Sequence, residues 1–140
     1  MAYFEPNYWA IIAAAALAFV LDALWYSVLF GRLWVRLHGY GGHTAEELAA
    51  AHERARTAHV VSLVGYLFVA AALSLLADYI VLTSVEQALK LALLAFFGFV
   101  GPVGVIGSMY ADRPVGAWLI DAGYQLLYLV VMSLVVVLWA

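Results

Sequence analysis

Four long apolar stretches restrict this chain more than any other feature of its sequence. A helix that crosses a membrane needs about 20 mostly apolar residues, and residues 8–31, 58–80, 88–110 and 115–139 each meet that requirement. The mean hydropathy is +1.02 and only 11% of the residues are charged, too few to cover a soluble globule. We therefore predict an all-α integral membrane bundle of four antiparallel transmembrane helices, built as a single domain over residues 1–140.

A cleaved signal peptide is the competing interpretation of the first stretch. Such a peptide needs a basic segment followed by an apolar run of about 7–15 residues. Residues 1–7 contain no Lys or Arg and include Glu5, and the apolar run that follows is longer than that. We therefore expect the first stretch to be retained as a span.

Basic residues near the span ends predict the orientation of the bundle. Four spans place the first and third connections on one membrane face, and both termini and the second connection on the other. The basic residues of the first face are Arg32, Arg36, Arg54, Arg56 and Arg113. The opposite face has only Lys90. Because cytoplasmic loops carry the excess of basic residues, we predict a cytoplasmic long connection and both termini outside.

The long connection, residues 32–57, has an organisation of its own. Thr44 precedes Glu47 at the spacing of a capping box, and Ala-rich sequence follows. We predict a helix over residues 45–57 that leads into the second span, either continuously or after a bend. Arg32, Trp34 and Arg36 have the character of an interfacial collar at the end of the first helix.

Several functional classes are excluded or disfavoured. The net charge of −3 offers no polyanion-binding surface, so we expect no nucleic-acid partner. The chain has no Cys, its four His residues do not show the spacing of a bundle metal site, and no nucleophile elbow or phosphate loop occurs. We therefore expect no catalytic residues, no metal site and no cofactor.

Small and polar residues recur at i, i+4 spacing in three spans, which places them on one helical face. The stripes contain Ala14, Ala18, Asp22 and Tyr26 in the first span, Ser62, Tyr66, Ala70 and Ser74 in the second, and Ala117, Asp121, Gln125 and Ser133 in the fourth. The third span instead has four glycines around Pro102, which we expect to kink the helix. Bundle packing alone would explain most of these stripes.

Two acids resist that explanation, because a charged side chain at the bilayer centre is costly. Asp22 lies about 13 Å from the inner end of the first span and Asp121 about 9 Å from the inner start of the fourth, at 1.5 Å per helical residue. Tyr66 reaches a similar depth. We expect one polar pocket in the cytoplasmic half, lined by Asp22, Tyr26, Tyr66, Asp121, Tyr124 and Gln125.

The depth comparison places no Lys or Arg beside the two acids. Three outcomes remain open. One or both acids are protonated, a bound cation or a water-filled cavity stabilises the charge, or each acid is tied separately to Tyr, Ser or Gln donors. We favour at least one protonated acid that is hydrogen-bonded to Tyr or Gln.

Two segments resemble an uncharacterised family of small bacterial membrane proteins, catalogued as domain of unknown function seventeen sixty-one. They are Ala23-Leu24-Trp25-Tyr26-Ser27 with Phe30-Gly31 and Trp34, and Arg113-Pro114 with Ile120-Asp121-Ala122-Gly123-Tyr124-Gln125. The resemblance implies four spans with a longer first connection, in a bacterial inner membrane. Such proteins tend to have Asn at the position of Asp121 and often His at that of Gln125, which argues against a universal proton carrier there.

The functional hypothesis is a non-enzymatic membrane protein. We interpret the chain as a binding or accessory subunit, and as a homo-oligomer or a member of a larger membrane complex, because four spans make a thin bundle. A small proton- or cation-coupled transporter or channel that acts as an oligomer is the alternative, and an intramembrane enzyme acting on lipid ranks third. The sequence does not identify a small-molecule ligand.

Overall fold

The computed structural model describes residues 6–26 and 45–139. Within those ranges the chain forms four helices and no strand: α1, Tyr8–Leu24; α2, Ala45–Tyr79; α3, Val85–Tyr110; and α4, Val115–Leu138. The all-α prediction is thereby confirmed for this part of the chain. The end of the first span beyond Tyr26, the collar of Arg32, Trp34 and Arg36, and the Thr44 capping box lie outside the described residues.

Helix α2 confirms the predicted extension of the second span into the long connection. Residues 45–57 continue without interruption into the apolar part of a 35-residue helix. Its apolar portion, Arg56–Tyr79, and the helices α3 and α4 are long and apolar enough to cross a membrane, by length and composition. The described part of α1 is also apolar but has only 17 residues.

Helix α3 begins three residues earlier than predicted, because a capping box closes its first turn. The Ser84 hydroxyl accepts a hydrogen bond from the Gln87 backbone N–H, and the Gln87 side chain accepts one from the Ser84 backbone N–H. These two bonds satisfy donors that a helix start otherwise leaves unpaired. The predicted start at residue 88 missed this motif because it followed only the apolar pattern.

A π-helical segment, Phe96–Val100, interrupts α3 immediately before Pro102. The Gly101 backbone N–H donates to the Phe96 carbonyl, five residues earlier. Proline has no N–H and its ring clashes with the preceding turn of a regular helix, so a widened turn accommodates it. The irregularity expected at Pro102 therefore takes the form of a π turn.

Helix α4 is the centre of the structure and packs against each of the other three helices. In the apolar 18-residue stretch of α4, 50% is buried, against 22% in the corresponding stretches of α2 and of α3. Alanines fill the closest contacts, since Ala14, Ala18 and Ala70 are each 0% exposed. Small side chains allow the helix backbones to approach closely, as in membrane-helix interfaces.

The start of helix α1 contacts the end of α4, and the end of α1 contacts the first turns of α4. The Asn7 amide at the start of α1 donates to the Trp139 carbonyl after the end of α4, at 2.8 Å. At the other end of the interface, the Trp25 indole N–H donates to the Ile120 carbonyl at 3.1 Å. These two contacts fix the register of α1 on α4, and that register sets which polar side chains meet between them.

Candidate functional site

Asp121 lies in the second turn of α4 and is bound by donors from two other segments. The Tyr26 hydroxyl, just after α1, donates to one carboxylate oxygen at 2.5 Å. The Arg113 guanidinium, in the connection that precedes α4, donates to the other oxygen at 2.8 Å. An ionised carboxylate is the form that a cation and a hydroxyl donor stabilise together, so we assign the charge to Asp121.

Arg113 corrects the expectation that no cation reaches the level of the two acids. Its backbone lies outside α4, but its long side chain extends along the helix to Asp121, eight residues later in sequence. The long side chain of arginine commonly carries its charged group to a different membrane depth from that of its Cα atom. Depths estimated from the rise per helical residue describe the backbone only, so they could not predict this ion pair.

Asp22 lies beside a separate pair of hydroxyl groups. It interacts electrostatically with Tyr66 of α2, and the hydroxyl oxygens of Tyr66 and Tyr124 lie 3.0 Å apart. Tyr124 in turn donates to the Ala18 carbonyl of α1 at 2.5 Å. These hydrogen bonds thus connect α1, α2 and α4, and they reach α1 one turn before Asp22.

Aromatic rings surround these hydroxyl groups. Tyr124 stacks on Tyr128 with ring centroids 5.2 Å apart and meets Tyr26 edge-on at 5.5 Å. Tyr66 lies 5.3 Å from Tyr128. Rings in such arrangements attract one another beyond their burial, so the rings hold the hydroxyl groups at the level of the two acids. We call Asp22, Tyr26, Tyr66, Asp121 and Tyr124 the polar cluster.

Gln125 is the one predicted site residue that the structure places elsewhere. A Cβ atom at Gly104 of α3 would lie 3.8 Å from the Gln125 side-chain oxygen and 3.6 Å from the Trp118 indole nitrogen. Within the described residues Gln125 forms no hydrogen bond with either acid. It therefore faces α3, although the i, i+4 stripe places it directly after Asp121 on α4.

Sequence reasoning missed two contributors to this site, Arg113 and Trp25. Extending the α4 stripe one step toward the N-terminus, from Asp121 through Ala117, leads to Arg113, so the signal was present at i, i+4 spacing. Trp25 packs against Gly123, where a Cβ atom would lie 3.2 Å from the indole ring. That contact depends on the α1–α4 register, which no single-helix pattern reveals.

His59 of α2 contacts α1 through Phe19. Its side chain is exposed, its ring meets Phe19 edge-on at 6.1 Å, and it interacts electrostatically with Asp22. The described residues contain no group of three His, Asp or Glu side chains placed to hold a metal ion.

The comparisons with known proteins place the chain in a family. No curated protein and no solved structure matches the chain. One family model, described as "Protein of unknown function (DUF1761)", matches residues 9–137, which include every residue of the polar cluster. The resemblance drawn from the two sequence segments is thereby confirmed, and the chain belongs to the DUF1761 family.

Proposed function

We propose that the chain is an integral protein of the bacterial inner membrane, with four antiparallel spans and both termini outside. The exposed side chains support insertion, since Phe68, Phe97 and Phe99 are each at least 67% exposed. Such residues favour lipid over water. The start of α1 contacts the end of α4, and the end of α1 contacts the first turns of α4, which supports the antiparallel arrangement. The basic residues of the first and third connections support the orientation.

We propose that the polar cluster serves a non-enzymatic role, in a binding or accessory subunit. The observation that carries this proposal is that Asp121 has its own internal donors, Tyr26 and Arg113. Acids engaged in this way connect helices. A nucleophile or general base would instead need to reach a substrate atom.

A proton- or cation-coupled transporter or channel is the second candidate, favoured by one observation. Asp22 is only partly buried, so one acid of the cluster is accessible from the protein surface. Intramembrane acids of this kind occur on proton and ion pathways.

Reconstitution in liposomes separates the two candidates. A pH-sensitive dye inside vesicles reports proton flux when a pH gradient or a potential is applied. We expect vesicles with the wild-type chain to match empty vesicles. A flux that the wild type supports and Asp22→Asn abolishes would establish the transporter and contradict the accessory role.

We propose that the chain assembles into a homo-oligomer or joins a larger membrane complex. The support is the thin bundle, in which 22% of the most apolar windows of α2 and α3 is buried. Native mass spectrometry of the protein extracted with its own lipids tests this assembly. We expect masses of two or more chains, or of the chain with a second protein at fixed ratio; a strictly monomeric chain would contradict the proposal.

A further inference from the structure

The π turn of α3 leaves one backbone carbonyl without a donor from its own helix. The Gly101 N–H would donate to the Phe97 carbonyl in a regular α-helix, but it donates to the Phe96 carbonyl instead. The next residue along the chain is Pro102, which has no N–H. The Phe97 carbonyl therefore lacks both the donor of an α-helical bond and that of a π-helical bond, and among the described residues no side chain replaces them.

This carbonyl lies on an exposed part of α3, near the middle of the helix. It belongs to the peptide bond between Phe97 and Gly98, and both residues are exposed. They lie midway along Val85–Tyr110, so in the proposed span they are at the centre of the bilayer, where water does not reach. An unpaired backbone carbonyl in contact with lipid is costly. A protein surface that covers it would therefore stabilise the inserted chain.

Gly98 allows this part of α3 to pair with a copy of itself. A Cβ atom there would meet only a Leu94 methyl, at 3.9 Å, so no neighbouring side chain keeps a second helix away from the backbone. Membrane helices approach closely at such small residues, and Cα–H groups of one backbone then contact carbonyls of the other. Here the acceptor, the Phe97 carbonyl, is next to the Gly98 Cα–H donor. A surface that has both is self-complementary, as a two-fold symmetric interface requires.

We propose that a second copy of the chain docks on this surface, with the two α3 helices crossing at Gly98. Each Gly98 Cα–H would then face the Phe97 carbonyl of the other copy, and the exposed rings of Phe97 and Phe99 would pack around the crossing. The inference rests on the proposed insertion and homo-oligomer, and it adds which surface forms the interface. Helix α2 has a similarly exposed apolar face, but it is a continuous α-helix without proline, so its carbonyls are paired within the helix.

Disulfide cross-linking in native membranes tests this interface, because the chain has no Cys. Gly98→Cys places a thiol at the crossing, and Gly65→Cys is the matched control on α2, where a Cβ atom would meet nothing within 4 Å. A disulfide needs Cα atoms about 4–7 Å apart, a separation that only closely packed helices provide. With a membrane-permeant oxidant, we expect a linked dimer from Gly98→Cys and none from Gly65→Cys. Equal cross-linking of the two variants, or no dimer from Gly98→Cys, would overturn the α3 interface.

Leucine at the same two positions gives a second readout. A leucine at Gly98 would hold the two backbones apart, and we expect the dissociation constant of the dimer, measured by energy transfer between labelled copies in liposomes, to rise about tenfold, the value of two Cα–H contacts. Gly65→Leu should leave it unchanged, and circular dichroism checks that both variants fold. A dimer that Gly98→Leu leaves intact would overturn only the interface. A wild type that is monomeric in native mass spectrometry would overturn the homo-oligomer as well.

Discussion

Two neighbouring tyrosines of α4 differ in what their hydroxyl groups contact. Tyr124 is 3% exposed and its hydroxyl bonds both Ala18 and Tyr66. Tyr128 is 7% exposed and stacks on Tyr124, yet within the described residues its hydroxyl forms no hydrogen bond. The two side chains therefore separate the contribution of a hydroxyl network from that of aromatic packing.

We expect Tyr124→Phe to destabilise the bundle by about 1–3 kcal/mol, since it leaves the Tyr66 hydroxyl without its partner and breaks the bond to the Ala18 carbonyl of α1. Tyr128→Phe keeps the same ring packing and should change stability by less than about 0.5 kcal/mol. Reversible unfolding in mixed detergent micelles measures both variants. Equal effects of the two substitutions would show that the Tyr124 hydroxyl network adds nothing to packing.

Gly123 is the residue at which α1 and α4 approach through an aromatic ring. A Cβ atom there would lie 3.2 Å from the Trp25 indole, closer than ordinary van der Waals contact. We expect Gly123→Ala to destabilise the bundle by about 1 kcal/mol, since the indole must shift and strain its bond to Ile120.

Gly65 of α2 is the matched control for Gly123, because a Cβ atom there would meet nothing within 4 Å. Alanine in place of glycine within an open helix position is stabilising by about 0.5–1 kcal/mol. The same unfolding measurement should therefore give opposite signs for the two substitutions. A gain in stability from Gly123→Ala would contradict the close approach of the Trp25 indole to Gly123.

The π turn is the main departure of an element from the expected pattern, and Gly101 makes it possible. A Cβ atom at Gly101 would lie 2.9 Å from the Phe96 carbonyl oxygen, whereas one at Gly98 would meet only a leucine methyl at 3.9 Å. We expect Gly101→Ala to destabilise the protein by about 1–3 kcal/mol and Gly98→Ala to be neutral or stabilising. Thermal unfolding of the pair checks this, and a neutral Gly101→Ala would argue against the π turn.

The sequence predicted the helices well and the contacts between them only in part. Apolar length placed the fourth span at 115–139, one residue beyond the observed end at Leu138, because span length follows directly from membrane thickness. Of the residues predicted to share a polar pocket, Tyr26 and Asp121 do meet. The ion pair of Arg113 depends on side-chain reach, and the position of Gln125 depends on how α3 packs. Neither the reach of a side chain nor the packing of a neighbouring helix can be read from the periodicity of one helix.

At the scale of the whole molecule, the two short connections that flank α3 decide between possible topologies. Thr83 precedes α3 and Ala111 follows it, and both residues are exposed. If α3 crosses the bilayer once, these two positions lie on opposite faces whatever the orientation of the bundle. The predicted orientation adds that Thr83 faces outward and Ala111 faces the cytoplasm, beside Arg113.

Thiol labelling tests this arrangement cleanly, because the chain has no Cys and the wild type is an unreactive control. In intact spheroplasts, we expect a membrane-impermeant maleimide to label Thr83→Cys and not Ala111→Cys. Inverted membrane vesicles should give the reverse pattern, and detergent should expose both positions. Reversal in the spheroplasts would overturn the orientation but keep the span, since α3 would still separate the two sites. Labelling of both positions from one side would instead remove α3 as a membrane crossing, and with it the four-span topology.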